Sequence, residues 1–206
     1  MDEVELGRRP KSRRVFFALW PDEATRKTLE AATREVAETC GGRPVPSNNF
    51  HVTLLFVGAV TEERIGDLQL LAQRVAATLP WAADCADTPL LLFDRIEHWL
   101  EPQVLCATCG PGPESSGVAF AGELARRLRE GLSGAGFTLE QTGLKDQIGF
   151  RPHVTLARKV SRWCEREMAA VPWGFKDFSL VDSRPGPQGS LYRVLATFPL
   201  SWAAGR

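Results

Sequence analysis

The chain has 206 residues, 44% of them hydrophobic, with 25 basic residues balanced by 25 acidic ones. That length supports one substantial core, or two small lobes sharing one. The balanced charge excludes broad, sequence-independent coating of nucleic acid and leaves any such contact to a few arginines. No apolar run is long enough for a helical membrane span, and the charged N-terminus lacks the apolar stretch of a secretion signal, so the expected location is the cytoplasm.

In chain order, residues 1–12 form a basic polar tail, and the cations from Arg8 to Arg14 read as a solvated segment rather than an RNA clamp. Residues 14–20, Arg-Val-Phe-Phe-Ala-Leu-Trp, read as a buried strand ended by Pro21. Residues 22–39 carry a helical pattern, with Leu29, Ala32 and Val36 on one face and Asp22 and Glu23 at the start, where the dipole favours acids. Gly41-Gly42 ends it. A strand over 50–57 follows, then a helix from about 62 to 78 whose Ile65, Leu68, Leu71, Ala72 and Val75 share a face. Strands near 90–93 and 104–109 are separated by 96–102, and a Gly/Pro/Ser loop at 110–117 leads to a helix at about 118–132. A Gly-rich connection brings the chain to a strand beginning at His153, followed by a short helical piece around 161–169. Strands near 175–183 and 190–199 close the chain, joined by Gly186-Pro187-Gln188-Gly189, a hairpin turn signal.

The tetrapeptide His-Val-Thr-Leu occurs twice, at 51–54 and at 153–156, in a chain with only three histidines. At ordinary residue frequencies the chance of that coincidence is on the order of one in a thousand. About half the chain separates the two copies, as a duplication would leave them. The expected fold is therefore α+β: two similar α/β lobes with antiparallel-rich sheets forming a central cleft, one motif from each lobe lining it. Residues 13–206 would form this single bilobal domain. Successive strand residues point to opposite faces, so His51 and Thr53 share one face, and His153 and Thr155 do likewise. Each strand then offers an imidazole and a hydroxyl, anchored by valine and leucine behind.

Two histidines can divide acid and base roles near pH 7. The reaction that suits them is displacement of an alkoxide from phosphorus by water, with threonine hydroxyls donating to the non-bridging oxygens. No carboxylate-plus-histidine cluster suggests a metal site. Of the five cysteines, Cys106 and Cys109 form a CxxC, but on a strand positions three apart face opposite ways, and both read as structural.

At these residues the chain resembles the two-histidine (2H) phosphoesterases, and within them the RNA 2′,3′-cyclic phosphodiesterases, also called 2′-5′ RNA ligase-like proteins. The resemblance runs from about Arg14 to Pro199. It includes the opening Arg14-Val15-Phe16-Phe17-Ala18-Leu19, the Arg43-Pro44-Val45-Pro46 lead-in, Asn49-Phe50-His51, and Pro152-His153-Val154-Thr155-Leu156-Ala157-Arg158. It implies the 2H phosphoesterase fold and metal-independent, cofactor-free hydrolysis of an RNA terminal 2′,3′-cyclic phosphate to a 2′-phosphate. Some members also run 2′-5′ joining. Carried over by motif, His51 is the proton donor to the departing 3′ oxygen and His153 the acceptor that activates water. Thr53 and Thr155 hold the phosphate, and Arg158 pairs with phosphate or nucleotide. Arg158 has the opposite parity to His153, so the strand must end or twist for this last role to hold.

Other substrates fit the same motif, among them a cyclic phosphate derived from ADP-ribose, and a non-catalytic RNA- or nucleotide-binding module is the rival from another class. Arg43, Arg151 and Lys159 are candidates for a phosphate path. Trp20 is a candidate to stack a base, Phe17 reads as core, and His98 reads as structural. Both motifs lie in one chain, so a monomer is expected.

Overall fold

The computed structural model describes residues 12–79, 88–110, 116–137, 150–162, 165–187 and 189–200. The tail at 1–11 and most of the Gly-rich connection lie outside the described residues. The opening apolar run forms β1 (Ser12–Leu19). Helix α1 (Glu23–Thr39) starts where the Asp22 carboxylate accepts a hydrogen bond from the Thr25 N–H at 2.7 Å, satisfying a donor the helix itself cannot. It stops at Gly41, whose φ of +70° few other residues tolerate. A two-residue β2 (Arg43–Pro44) precedes β3 (Val52–Thr61), and α2 (Ile65–Thr78) follows after a 3₁₀ turn. Next come β4 (Leu90–Trp99), β5 (Val104–Cys109), α3 (Ser116–Gly134) and β6 (His153–Arg158). The chain ends with β7 (Arg166–Gly174), β8 (Asp177–Gly186) and β9 (Gly189–Pro199). Among the described residues no helix is long and apolar enough to cross a membrane.

Two expectations are corrected. The strand near 90–93 does not stop there, because β4 runs to Trp99. A register shift between Phe93 and Arg95 bends it at Asp94. Beyond the bend Ile96 and His98 are buried while Arg95 and Glu97 are not, so a half-buried strand was masked by its charged face. The helical piece around 161–169 is absent from the described part of that stretch, where β7 pairs antiparallel with β4. Glu167, Met168, Ala169 and Ala170 favour helix locally. The ladder and the burial of Val171 and Trp173 outweigh that preference.

The strands form one sheet in the order β7-β4-β5-β6-β3-β1-β8-β9, with β2 added to β6. Neighbouring strands pair antiparallel, so the expected α+β fold holds. Its two halves, β7-β4-β5-β6 and β3-β1-β8-β9, meet where Val52 pairs with Val154. The first half takes its strands from consecutive elements, β4 to β7, whereas the second joins β1 and β3 to β8 and β9 from the far end of the chain. Helix α1 crosses to pack on β6 and β7, and the C-terminal hairpin returns to β1.

One sheet face carries the main core. Val15, Phe17 and Leu19 join Val52, Leu54, Val154 and Leu156 there, against the apolar faces of the helices. The other face of β1 carries a smaller cluster of Phe16 and Ala18 with Val181, against which Trp20 and Tyr192 pack. The chemistry lies on this second face.

Candidate active site

The pairing of Val52 with Val154 decides how the two motifs meet. Continuing that antiparallel register by one residue sets His51 opposite Thr155 and Thr53 opposite His153. The two valines are fully buried on the helix side, so alternation turns all four polar side chains to the open face. Directly opposed residues in such a pair have Cβ atoms roughly 4.5–5.5 Å apart, and diagonal ones about 7–8 Å. The histidines occupy one diagonal and the threonines the other, a spacing that a phosphate group can bridge.

Each imidazole is oriented the same way. The His51 Nδ1 lies 2.7 Å from the Asn49 carbonyl oxygen, and the His153 Nδ1 lies 2.9 Å from the Arg151 carbonyl oxygen. A carbonyl can only accept, so Nδ1 carries the hydrogen in both rings. Nε2 is then the nitrogen left for proton transfer.

The duplication extends into the backbone. Thr53 pairs with Ala18 and Leu55 with Phe17, which leaves Leu54 unpaired on β3. Thr155 pairs with Cys106 and Ala157 with Leu105, which leaves Leu156 unpaired on β6. The leucine of each tetrapeptide is thus the extra residue of a β-bulge, a device that re-aims the side chains beyond it. Arg158 pairs with Val104, two residues from Cys106 on the partner strand, and so comes back to the face of Thr155. The parity problem posed by simple alternation is resolved by this bulge. At the matching position of the first motif stands Phe56, which is 43% exposed and touches Phe16.

A cavity of about 640 Å³ opens on this face. Its floor includes His51, Thr155 and Arg158. One wall is the 43–49 segment, and the facing wall is the β8–β9 hairpin with Ser183, Ser190 and Tyr192. Asn49 ties the walls together, because its side-chain amide donates to the Ser190 carbonyl at 2.9 Å. Arg14, Arg43, Arg158 and Lys159 line the cavity, with no acidic residue lining it among the described residues. Thr53 and His153 lie beside it at the seam and do not line it.

The two histidines have different surroundings. The His51 ring is boxed by Phe16, Trp20 and Tyr192, with ring centroids 5.1, 5.3 and 5.1 Å away. Burial pushes its pKa down to about 4, and the charges of His153 and Arg158 act in the same direction. His153 has Trp99 beside it at 4.6 Å. Its pKa is also lowered, chiefly by burial, with Arg151 and Arg158 contributing. Both rings are therefore neutral near pH 7 without an anion in the site.

The remaining candidates divide. Arg43 and Lys159 line the cavity, whereas Arg151 is held by Glu97 at 2.8 Å and lies over the Trp99 ring. Phe17 is in the core, and Trp20 sits against His51. His98 is buried on β4. Cys106 is buried and Cys109 partly so, and burial pushes both thiols up to about 12, far from nucleophilic thiolates. Sequence reasoning missed Arg14, which leaves the tail to join the cavity, and Tyr192, the chain's sole tyrosine. No local signal marks either one, since Arg14 on β1 and Tyr192 on β9 reach the cavity through their pairing with β8.

With this geometry in hand, similarity to known proteins is informative. The family model for LigT like Phosphoesterase matches residues 19–85. An RNA 2′,3′-cyclic phosphodiesterase of Thermus thermophilus is 28% identical over 94% of this chain and 93% of its own length. One of Escherichia coli is 29% identical over 82% of this chain and 86% of its own length. A solved Thermus thermophilus structure superposes with a TM-score of 0.72 at 27% identity, covering 91% of this chain and 98% of that one. The crystal structure of E. coli LigT complexed with 3′-AMP shares the fold, with a TM-score of 0.72 at 24% identity over 93% of this chain and 99% of its own. These likenesses bear out the resemblance read from the paired motifs.

Proposed function

Taking likeness to the LigT-like phosphoesterases in motif, family model and fold as the premise, we propose that this chain hydrolyses the terminal 2′,3′-cyclic phosphate of RNA to a 2′-phosphomonoester. The observation that carries the reading is the crossed quartet at the β3–β6 seam, where each histidine faces the other motif's threonine. The names of the relatives from Thermus thermophilus and E. coli, both RNA 2′,3′-cyclic phosphodiesterases, point to the same substrate.

In this reading the cyclic phosphate sits on the quartet, and the nucleoside occupies the cavity. An in-line displacement needs water on one side of phosphorus and the leaving oxygen on the other. The nucleoside carries the leaving oxygen, and His51 is the histidine that lines the cavity. His51 is therefore the donor: its protonated Nε2 gives a proton to O3′ as the P–O3′ bond breaks. His153 Nε2 takes a proton from water as the new P–O bond forms, and the phosphate stays on O2′. Thr53 and Thr155 donate to the non-bridging oxygens, and Arg158 balances their charge. A 5′-hydroxyl in place of water would give a 2′-5′ linkage through the same steps, so joining belongs to the same geometry.

The deciding experiment is turnover of a short RNA ending in a 2′,3′-cyclic phosphate, with excess EDTA, by wild type, His51→Ala and His153→Ala. A 2′-phosphate product is expected from wild type, and a loss of 10²-fold or more from each variant. Near-wild-type turnover by either variant would sink the mechanism. Absence of product from wild type, with binding retained, would instead favour a nucleotide-binding module.

A further inference from the structure

The cavity carries more positive charge than one cyclic phosphate uses. That group bears a single negative charge, which the quartet and Arg158 already meet. Arg14, Arg43 and Lys159 are left over, and of these Arg43 and Lys159 lie beside Arg158. Neither forms an ion pair among the described residues, whereas Arg13, Arg26, Arg126 and Arg151 each pair with an acid.

These two cations are held in place by the backbone. Arg43 stands directly opposite Arg158 in the β2–β6 register, and like charges so placed repel each other. The approach is fixed from both sides. The Val45 N–H donates to the carbonyl of the bulged Leu156 at 2.8 Å. Gly42 packs so closely that a Cβ there would come within 2.8 Å of the Arg158 carbonyl oxygen. Lys159 follows with φ of 56°, a left-handed conformation uncommon for lysine. Three cations converge at the end of β6 farther from the seam, in an arrangement that an anion would relieve.

Resting on the reading of the site given above, we propose that Arg43 and Lys159 form a second anion subsite. It takes the phosphodiester on the 5′ side of the terminal nucleotide and makes the enzyme selective for ends of RNA chains over cyclic mononucleosides. The subsite reads charge and carries no base preference. Its contribution is screened by salt.

The test compares adenosine 2′,3′-cyclic phosphate with its 5′-phosphorylated form, using wild type, Arg43→Gln and the Arg43→Gln/Lys159→Gln double variant. Wild type should favour the 5′-phosphorylated substrate by roughly tenfold or more in kcat/KM, as one charge-assisted contact would give. The ratio should drop in Arg43→Gln and approach one in the double variant. A wild-type ratio near one, or an unchanged ratio in the double variant, would overturn the subsite and leave the hydrolase reading standing. Turnover of neither substrate would count against the hydrolase reading instead. Calorimetry with adenosine 2′-phosphate and adenosine 2′,5′-bisphosphate would then decide the subsite. Tighter bisphosphate binding lost in the double variant supports it, and equal affinities refute it.

Discussion

His51 and His153 are followed by the same three residues and each has its Nδ1 anchored on the carbonyl two residues before it, yet they differ in what surrounds the ring. Three aromatic rings and burial hold His51 at a pKa of about 4, and His153 is lowered as well. The sign of the pH dependence follows. The donor must be protonated and the acceptor neutral, so the competent form of the free enzyme is most populated on the acid side of the ordinary imidazole value. As pH rises through neutrality, His51 holds its proton in ever fewer molecules and kcat/KM falls. At lower pH, protonation of His153 removes the base. A bound anionic phosphate raises both values, so the kcat optimum lies at higher pH than that of kcat/KM. A kcat/KM optimum above pH 7 in a full pH–rate profile would contradict this division of roles.

At the scale of elements, two bulged strands and one hairpin make the site. The periodicity of each motif already put histidine and threonine on one face with valine behind. What it could not show is that the leucine of each motif drops out of the ladder, because a bulge arises from pairing with a second strand. Arg158 therefore looked misdirected in the sequence, while in the fold it lines the cavity. The hairpin wall depends on Asn49, whose carbonyl orients His51 while its side chain holds Ser190. Asn49→Ala keeps the carbonyl and releases the hairpin. We expect KM for the RNA substrate to rise several-fold, as loss of one hydrogen bond of about 1 kcal/mol gives, with a smaller change in kcat. Steady-state kinetics on the variant separate the two, and an unchanged KM would mean that the hairpin does not contact substrate.

At the scale of the whole molecule, the sheet separates stability from chemistry. Its helix side buries the main core, and the motifs lie on the other side. Leu124 of α3 is fully buried in that core, so Leu124→Ala should cost about 2–5 kcal/mol and lower Tm on the order of 10 °C. Below its melting temperature the variant should retain kcat; a thermal melt and an assay on one preparation check both. The sequence by itself determined the apolar faces of the three helices, most strands, and the placing of an imidazole and a hydroxyl on one face of each motif strand, while the crossing of the two motifs came from the pairing of Val52 with Val154. Apolar periodicity and a repeated tetrapeptide are local signals, written in side chains. The tertiary structure alone decided that β7 is a strand, that β4 continues past its bend, that Arg14 and Tyr192 reach the cavity, and that Arg158 turns inward. Each of those depends on which strand lies alongside. Strands join through backbone N–H and C=O groups common to almost every residue, so the choice of partner rests on distant packing and not on any local stretch of sequence.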